Sequence, residues 1–375
     1  MGNEQPAPAR PVRAGALAGI RVIEVGGIGP APFCTMVLAD MGADVVRVVR
    51  QADGQVPLFG RGKRAIVLDL KADRDLAVLL ELIDRADVLV EGFRPGVTER
   101  LGIGPEAVAA RNPRLVYARC TGWGQTGPMS ATAGHDINYI ALSGVLSLIG
   151  RAGQPPTPPL NLVGDFAGGG LATAFGITCA LVERAQSGLG QTIDAAMVDG
   201  SALVAAMFHD MVARGSWDER RRGANALDSG APYYDVYETA DHRWFAVGAV
   251  EPQFYSALVS GLGLAEDDLP DRWDAAQWPA LRERFHAAFA TRTRDEWEEV
   301  FSGTDACATP VLLPSECADH PQNRARAAFV DVGAMRLPAP APRLSRTPGA
   351  VRSDGTAPPL DGDALLKEWA GALSC

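Results

Sequence analysis

The chain has 375 residues, 47% hydrophobic and 21% charged, a globular composition with room for one large domain or two. Its 35 basic and 45 acidic residues leave a net charge of −10, which argues against nucleic acid as a partner, since that binding needs a basic face. An anionic small molecule stays open wherever positive charge gathers locally.

Residues 1–16 read as a flexible polar tail without the apolar core of a signal peptide. Pro6 stands where a myristoylation motif needs Ser or Thr. No apolar run approaches 18 residues, so no membrane span is expected. Cys34, Cys120, Cys179, Cys307, Cys317 and Cys375 form no CxxC pair. That pattern points to reduced thiols and a cytoplasmic setting. Cys317 and His320 have no second ligand pair, so no metal is expected.

Residues 20–25 predict a strand, 31–41 a helix and 45–49 a second strand, which together make a βαβ unit and favour a parallel sheet. Gly27-Ile28-Gly29 follows the first strand, but Pro32 occupies the third-glycine position of a dinucleotide fingerprint. Arg50 stands where a ribose-binding acid belongs. A basic residue there suits phosphate better than a diol. Strands follow at 65–69, 87–91 and 115–119, with a helix at 73–83, and their loops should collect at one sheet edge. Arg50, Arg61, Lys63, Arg64, Lys71, Arg94 and Arg100 cluster in and near these loops. Singly each is a solvated charge; together they suggest a polyphosphate site.

Gly134-His135-Asp136-Ile137-Asn138-Tyr139 opens a helical run, and Asn161-Leu162-Val163-Gly164-Asp165-Phe166 leads into Gly168-Gly169-Gly170 and a longer one. Asp165 is expected as the N-cap of that helix, beside free backbone N–H groups that favour negative charge. An oxyanion next to an acid/base residue would be served there. The plainer reading makes Asp165 only a cap and His135 only a loop histidine. His209 reads as packed in an apolar helix, and His242, His286 and His320 as surface residues. Asp194 and Asp199 read as structural caps or ion-pair partners. Tyr233–Tyr237 and Trp244–Val250 predict a hairpin, and Pro252 opens a helix. Helices follow at 275–290 and 294–301, a strand at 306–312, a proline-rich extended connector at 335–359 and a short helix at 361–370. Four regions result: the tail 1–16, a large domain 17–227, a small α+β domain 228–328, and a segment 329–375 returning to the large domain.

The segments around His135 and Asp165 resemble the family III (CaiB/BaiF-type) CoA-transferase superfamily. So, in order, do Gly42–Arg47, Glu91–Gly96, Thr121–Pro128, Asp194–Asp199 and Val247–Tyr255. His135, where transferase members usually carry tyrosine, resembles the α-methylacyl-CoA racemase branch. The glycine-rich small-domain loop of transferases is absent at Gly248–Pro252. The resemblance implies a Rossmann-like large domain, a smaller α+β domain and an interlocked homodimer. It implies CoA binding at Arg50, Leu68, Asp69, Leu70, Lys71, Gly92, Phe93, Arg94, Arg100, Gly134, Asp136, Ile137, Asn138 and Tyr139. It assigns catalysis to His135 and Asp165, with Glu251 near the histidine from the partner chain. CoA arrives as part of the acyl-CoA substrate, so no separate cofactor is expected.

Inverting an α-carbon needs a base on one face and an acid on the other. Histidine and aspartate are poorly matched at their ordinary values, so the Asp165 carboxyl is expected to be raised. CoA transfer would instead use Asp165 as a nucleophile, and a silent acyl-CoA-binding protein would show binding without turnover.

Overall fold

The computed structural model describes residues 15–51 and 59–371. Most of the expected tail, and Cys375, lie outside the described residues. The chain divides into two compact units. The first runs to Ile140 and takes in Asn161–Val204 and the chain from Arg324; the second joins Ala141–Leu160 to Ala205–Asn323. Residues 141–160 and 205–227, read from sequence as part of the large domain, therefore pack with the second unit.

The first unit is built on six strands: β1 (Arg21–Val25), β2 (Asp44–Val49), β3 (Lys63–Val67), β4 (Val88–Glu91), β5 (Val116–Thr121) and β6 (Thr192–Ala196). They pair in the order β3-β2-β1-β4-β5-β6, all parallel. Alternation along the strands sends side chains to two covered faces, as a parallel sheet requires. Ile23, Val46 and Leu89 face a layer that includes Leu79, Leu82, Leu365 and Trp369. Val22, Val45 and Val90 face Ala31, Cys34, Leu38 and Ile177. The C-terminal helix (Gly362–Gly371) thus completes one layer of the first unit.

Helix α1 (Pro30–Asp40) joins β1 to β2, and α2 (Asp73–Ile83) joins β3 to β4. Short helices α3 (Val97–Arg100) and α4 (Pro105–Arg111) precede β5. After β1 the chain moves outward to β2 and β3, then returns to β4 on the other side of β1. The loops after β1 and β4 therefore flank the switch in strand order, where open α/β sheets take their ligands. Gly27 and Gly92 let these loops touch: a Cβ on Gly92 would lie 3.0 Å from the Gly27 Cα.

The helix expected after Asp165 begins earlier and with a wider turn. Leu162–Leu171 is a π-helix, continued by α6 (Ala172–Ser187); α5 (Asp136–Leu142) comes before it and α7 (Met197–Val204) after β6. Asp165 lies inside the first turn, not at the N-cap. Close packing depends on its glycines. A Cβ on Gly168 would come within 2.6 Å of the Ser201 backbone N, and one on Gly170 within 2.6 Å of the Phe33 ring. An 18-residue window of the combined 26-residue helix has mean hydropathy 1.4, so by length and composition alone the helix could cross a membrane. It packs on α1, α7 and the sheet, and leaves Leu171, Phe175 and Val182 exposed.

The proline-rich connector is also more ordered than expected. Phe329–Val332 and Met335–Pro338 pair as an antiparallel hairpin. The tail is tied down by Arg61 Nη1 donating to Pro338 O (2.6 Å) and by Leu360 N–H donating to Ala65 O (2.7 Å).

The second unit carries an antiparallel sheet of β7 (Tyr234–Glu238), β8 (Trp244–Gly248) and β9 (Ala308–Pro310). Tyr237, Phe245, Phe285, Phe289 and Trp297 form its aromatic core. Thr293 and Glu296 make a full capping box at the helix Arg294–Phe301.

Candidate active site

The loops after β1, β4 and β5 meet at the carboxyl edge of the six-stranded sheet. A cavity of about 610 Å³ opens there in the first unit. Its lining joins residues 27–31 after β1, 92–95 after β4 and 120–123 at the end of β5 to the segments holding His135 and Asp165. Of the residues named from sequence, the cavity brings together Gly92, Phe93, Arg94, Gly134, His135, Tyr139 and Asp165.

His135 immediately precedes α5, and its carbonyl accepts from the N–H groups of Asn138 (2.8 Å) and Tyr139 (3.3 Å). Its own N–H donates to Asn138 Oδ1 at 3.0 Å. The Tyr139 hydroxyl donates to Gly134 O, which pins the loop from inside. A Cβ on Gly122 or Gly134 would run into the Tyr139 ring, at 2.2 and 2.7 Å. The histidine side chain is exposed on a backbone held from both ends.

Asp165 is half-buried. Asn161 Nδ2 donates to its Oδ2 at 3.0 Å, and a Cβ on Gly29 would lie 3.3 Å from the same oxygen. Burial raises the Asp165 carboxyl above its ordinary value; the Asn161 hydrogen bond opposes this, the charge of Asp136 adds to it, and His135 lowers it. The Asp165 N–H donates to Asp136 Oδ2 at 2.7 Å. One N–H of that helix start is therefore already taken by a carboxylate.

The basic cluster divides in two. Arg61 pairs with Asp40 (2.6 Å), Lys63 with Glu24 (2.6 Å), and Arg64 with Asp44 (2.6 Å) and Glu368 (2.8 Å). These three hold the fold together and are not available to a polyphosphate. Arg50, Lys71, Arg94 and Arg100 are exposed at the sheet edge. Leu68 is buried in the sheet core with its N–H donating to Val49 O at 2.9 Å, and Leu70 packs against that core. Asp69 closes its own turn, accepting from Lys71 N–H at 3.2 Å. Arg50, Leu68, Asp69, Leu70, Lys71, Arg100, Ile137 and Asn138 do not line the cavity, and neither does Asp136, whose carboxylate is turned to Asp165. Glu251 belongs to the second unit, exposed at the start of the helix Pro252–Gly261. His209 is exposed, not packed, because the helix Ala206–Ala213 buries none of its residues.

Sequence reasoning gave no role to Phe59, Trp123, Phe166 and Met197, all of which line the cavity. The Phe33, Phe59 and Phe166 rings pack with centroids 5.0–5.5 Å apart, and Trp123 meets Tyr139 edge-on at 4.8 Å. Proximity to Asp165 could have flagged Phe166; nothing local in the sequence marks the other three.

The profile of CoA-transferase family III matches residues 17–364, and the chain belongs to that family. It is 51% identical over 333 residues to the alpha-methylacyl-CoA racemase of Mus musculus, covering 88% of this chain and 87% of the relative. It is 51% identical over 335 residues to the alpha-methylacyl-CoA racemase of Homo sapiens, covering 89% and 87%. Among solved structures, a CaiB/BaiF family protein from Brucella suis superposes with a TM-score of 0.81 at 25% identity, covering 95% of this chain and all (100%) of that one.

Proposed function

We propose that this enzyme is an isomerase that inverts the α-carbon of 2-methylacyl-CoA thioesters by 1,1-proton transfer through an enolate. The observation that carries the reading is the convergence of His135 and Asp165 on one cavity, with the Asp165 carboxyl raised by burial. The 51% identity to two racemases supports it.

The thioester carbonyl acidifies the α-hydrogen. His135 removes it from one face while Asp165, carrying the shared proton, protonates the other; with the opposite epimer the roles exchange. Each positioned proton-transfer group contributes typically about 10²–10⁴-fold. Raising the Asp165 carboxyl above its ordinary value narrows the gap in proton affinity that reversible inversion has to span. The thioester enters beside the loops of residues 27–29 and 92–94. Arg94, with Arg50, Lys71 and Arg100 along the sheet edge, supplies charge to the CoA phosphates. Binding energy from the CoA portion orients the reacting carbon.

The alternative, acyl transfer through an Asp165 anhydride, needs an ionised carboxylate as nucleophile. Burial disfavours the ionised form of Asp165, which suits proton donation better than nucleophilic attack. The reading extends to an interlocked homodimer in which Glu251 of one chain approaches His135 of the other. It also places the protein in the cytoplasm, in keeping with free thiols at Cys34, Cys120, Cys179, Cys307 and Cys317.

The test is epimerisation of a single 2-methylacyl-CoA epimer by wild type, His135→Ala and Asp165→Ala. Both variants should bind CoA as wild type does and lose epimerisation. Retained epimerisation in either variant would remove that residue from the chemistry.

A further inference from the structure

Asp136 follows His135 directly, yet its carboxylate serves the other proton-transfer residue. It is 5% exposed, and its Oδ2 accepts the Asp165 backbone N–H at 2.7 Å across 29 positions of sequence. The first turn of a π-helix leaves its N–H groups without intrahelical partners. Asp136 therefore caps the Leu162–Leu171 helix from outside, where a carboxylate is electrostatically favoured. Gly164 makes room for it: a Cβ there would lie 2.6 Å from Asp136 Oδ2 and 3.2 Å from the Asp136 Cα. The second oxygen, Oδ1, is buried without a hydrogen-bond partner among the described residues. A carboxylate placed this way is a strut between two segments, not a ligand contact.

We propose that Asp136 is a positioning residue, which locks the His135 loop to the Asp165 turn and so fixes the separation of the two proton-transfer groups. The inference rests on the racemase reading for its kinetic consequence, while its geometry stands independently. It also replaces the CoA-binding role that the family resemblance implies for this residue.

One side chain acts in two ways. The hydrogen bond sets where the Asp165 backbone lies. The negative charge adds to burial in raising the Asp165 carboxyl above its ordinary value. The other charged or titratable groups acting on this neighbourhood are His135, Tyr139, Cys120 and Arg94. Of these, Arg94 and His135 carry or can carry positive charge and act against Asp136.

The variants Asp136→Asn and Asp136→Ala separate the two effects. The asparagine oxygen can still accept the Asp165 N–H, but the charge is gone. Asp136→Asn should move the Asp165 limb of the pH–rate profile for epimerisation to lower pH, with little change in KM. Asp136→Ala loses the strut as well, and kcat should fall about 10²-fold, the scale of a 1 Å misplacement, again with KM little changed. A carboxyl-carbon NMR titration of Asp165 without substrate should move to lower pH in Asp136→Asn. A KM rise with kcat and pH profile unchanged in both variants would overturn the proposal and restore a CoA-binding role. So would an unmoved Asp165 titration in Asp136→Asn. If Asp136→Ala does not fold, Asp136→Asn decides. If wild type shows no epimerisation, the racemase reading fails, and the substrate-free titration still judges this one.

Discussion

Replacing Lys63 with methionine tests whether the charges nearest the sheet interior belong to the fold or to the ligand. Lys63 Nζ lies 2.6 Å from Glu24 Oε2 and 2.7 Å from Pro32 O. The Lys63 and Glu24 side chains are 3% and 2% exposed. Burial lowers the lysine from its ordinary value, and the Glu24 charge restores part of that. Lys63→Met strands a buried carboxylate that keeps, among the described residues, the Thr35 hydroxyl as its side-chain partner. Removing one member of a buried pair typically costs about 3–5 kcal/mol. At about 2–4 °C per kcal/mol for domains of this size, thermal unfolding should fall by roughly 6–20 °C. The double variant Glu24→Leu/Lys63→Met should recover most of that, since an apolar pair of similar volume is often no worse than a buried ion pair. Calorimetry gives the midpoints and CoA titration gives the affinity. A Lys63→Met protein with an unchanged midpoint and weakened CoA binding would refute the reasoning and return Lys63 to the phosphate site.

Arg94→Ala should raise KM for acyl-CoA with the unfolding midpoint unchanged, whereas Arg64→Ala should leave KM alone and loosen the C-terminal helix that Glu368 anchors; steady-state kinetics beside hydrogen exchange over residues 362–371 checks both. Gly29→Ala forces a left-handed backbone (φ 80°) on a residue with a side chain, which costs about 1–2 kcal/mol, and brings a methyl group against the Asp165 carboxyl; epimerisation should fall with stability only mildly reduced. In the second unit, hydrogen bonds from Arg294 hold Glu316 down at about 2, against an ordinary value of 4.5. Because the folded value is depressed, the stabilisation is present above the ordinary value and is lost as pH falls towards 2. The midpoint difference between wild type and Glu316→Gln should therefore be full at pH 7 and shrink between about pH 4.5 and 2; a constant difference would contradict the assignment.

The parallel sheet was legible in the sequence because its signals are local. Runs such as Val45–Val49 and Val88–Glu91, each followed by a loop with glycine or a basic residue, fix strands and their order of connection. The missing third glycine at Pro32 argued against a dinucleotide, yet the strand order is that of a dinucleotide-binding sheet, because order follows from the crossovers and not from the loop sequence. The pair His135 and Asp165 was visible as two helix starts beside glycines. Its surroundings were not. Asp165 looked like an N-cap because Gly168–Gly170 suggested a helix beginning after it. The π-helix starts earlier, since those glycines serve packing against α1 and α7. Arg61, Lys63 and Arg64 looked like a phosphate site because their partners Asp40, Glu24, Asp44 and Glu368 are set by tertiary contacts that spacing does not reveal. The same holds for residues 141–160, whose place with the second unit depends on partners such as Asp235, which takes Arg151 at 2.5 Å.

The central claim is inversion at the α-carbon through an enolate, and the most direct measurement is hydrogen exchange there. Wild-type protein is incubated in D₂O with one epimer of a 2-methylacyl-CoA and no acceptor acid, while α-deuterium and epimer ratio are followed together. The account predicts α-deuterium in the inverted product, with uptake keeping pace with inversion. An unlabelled, uninverted substrate, together with acyl exchange appearing once a carboxylic acid is added, would contradict it and make Asp165 a nucleophile.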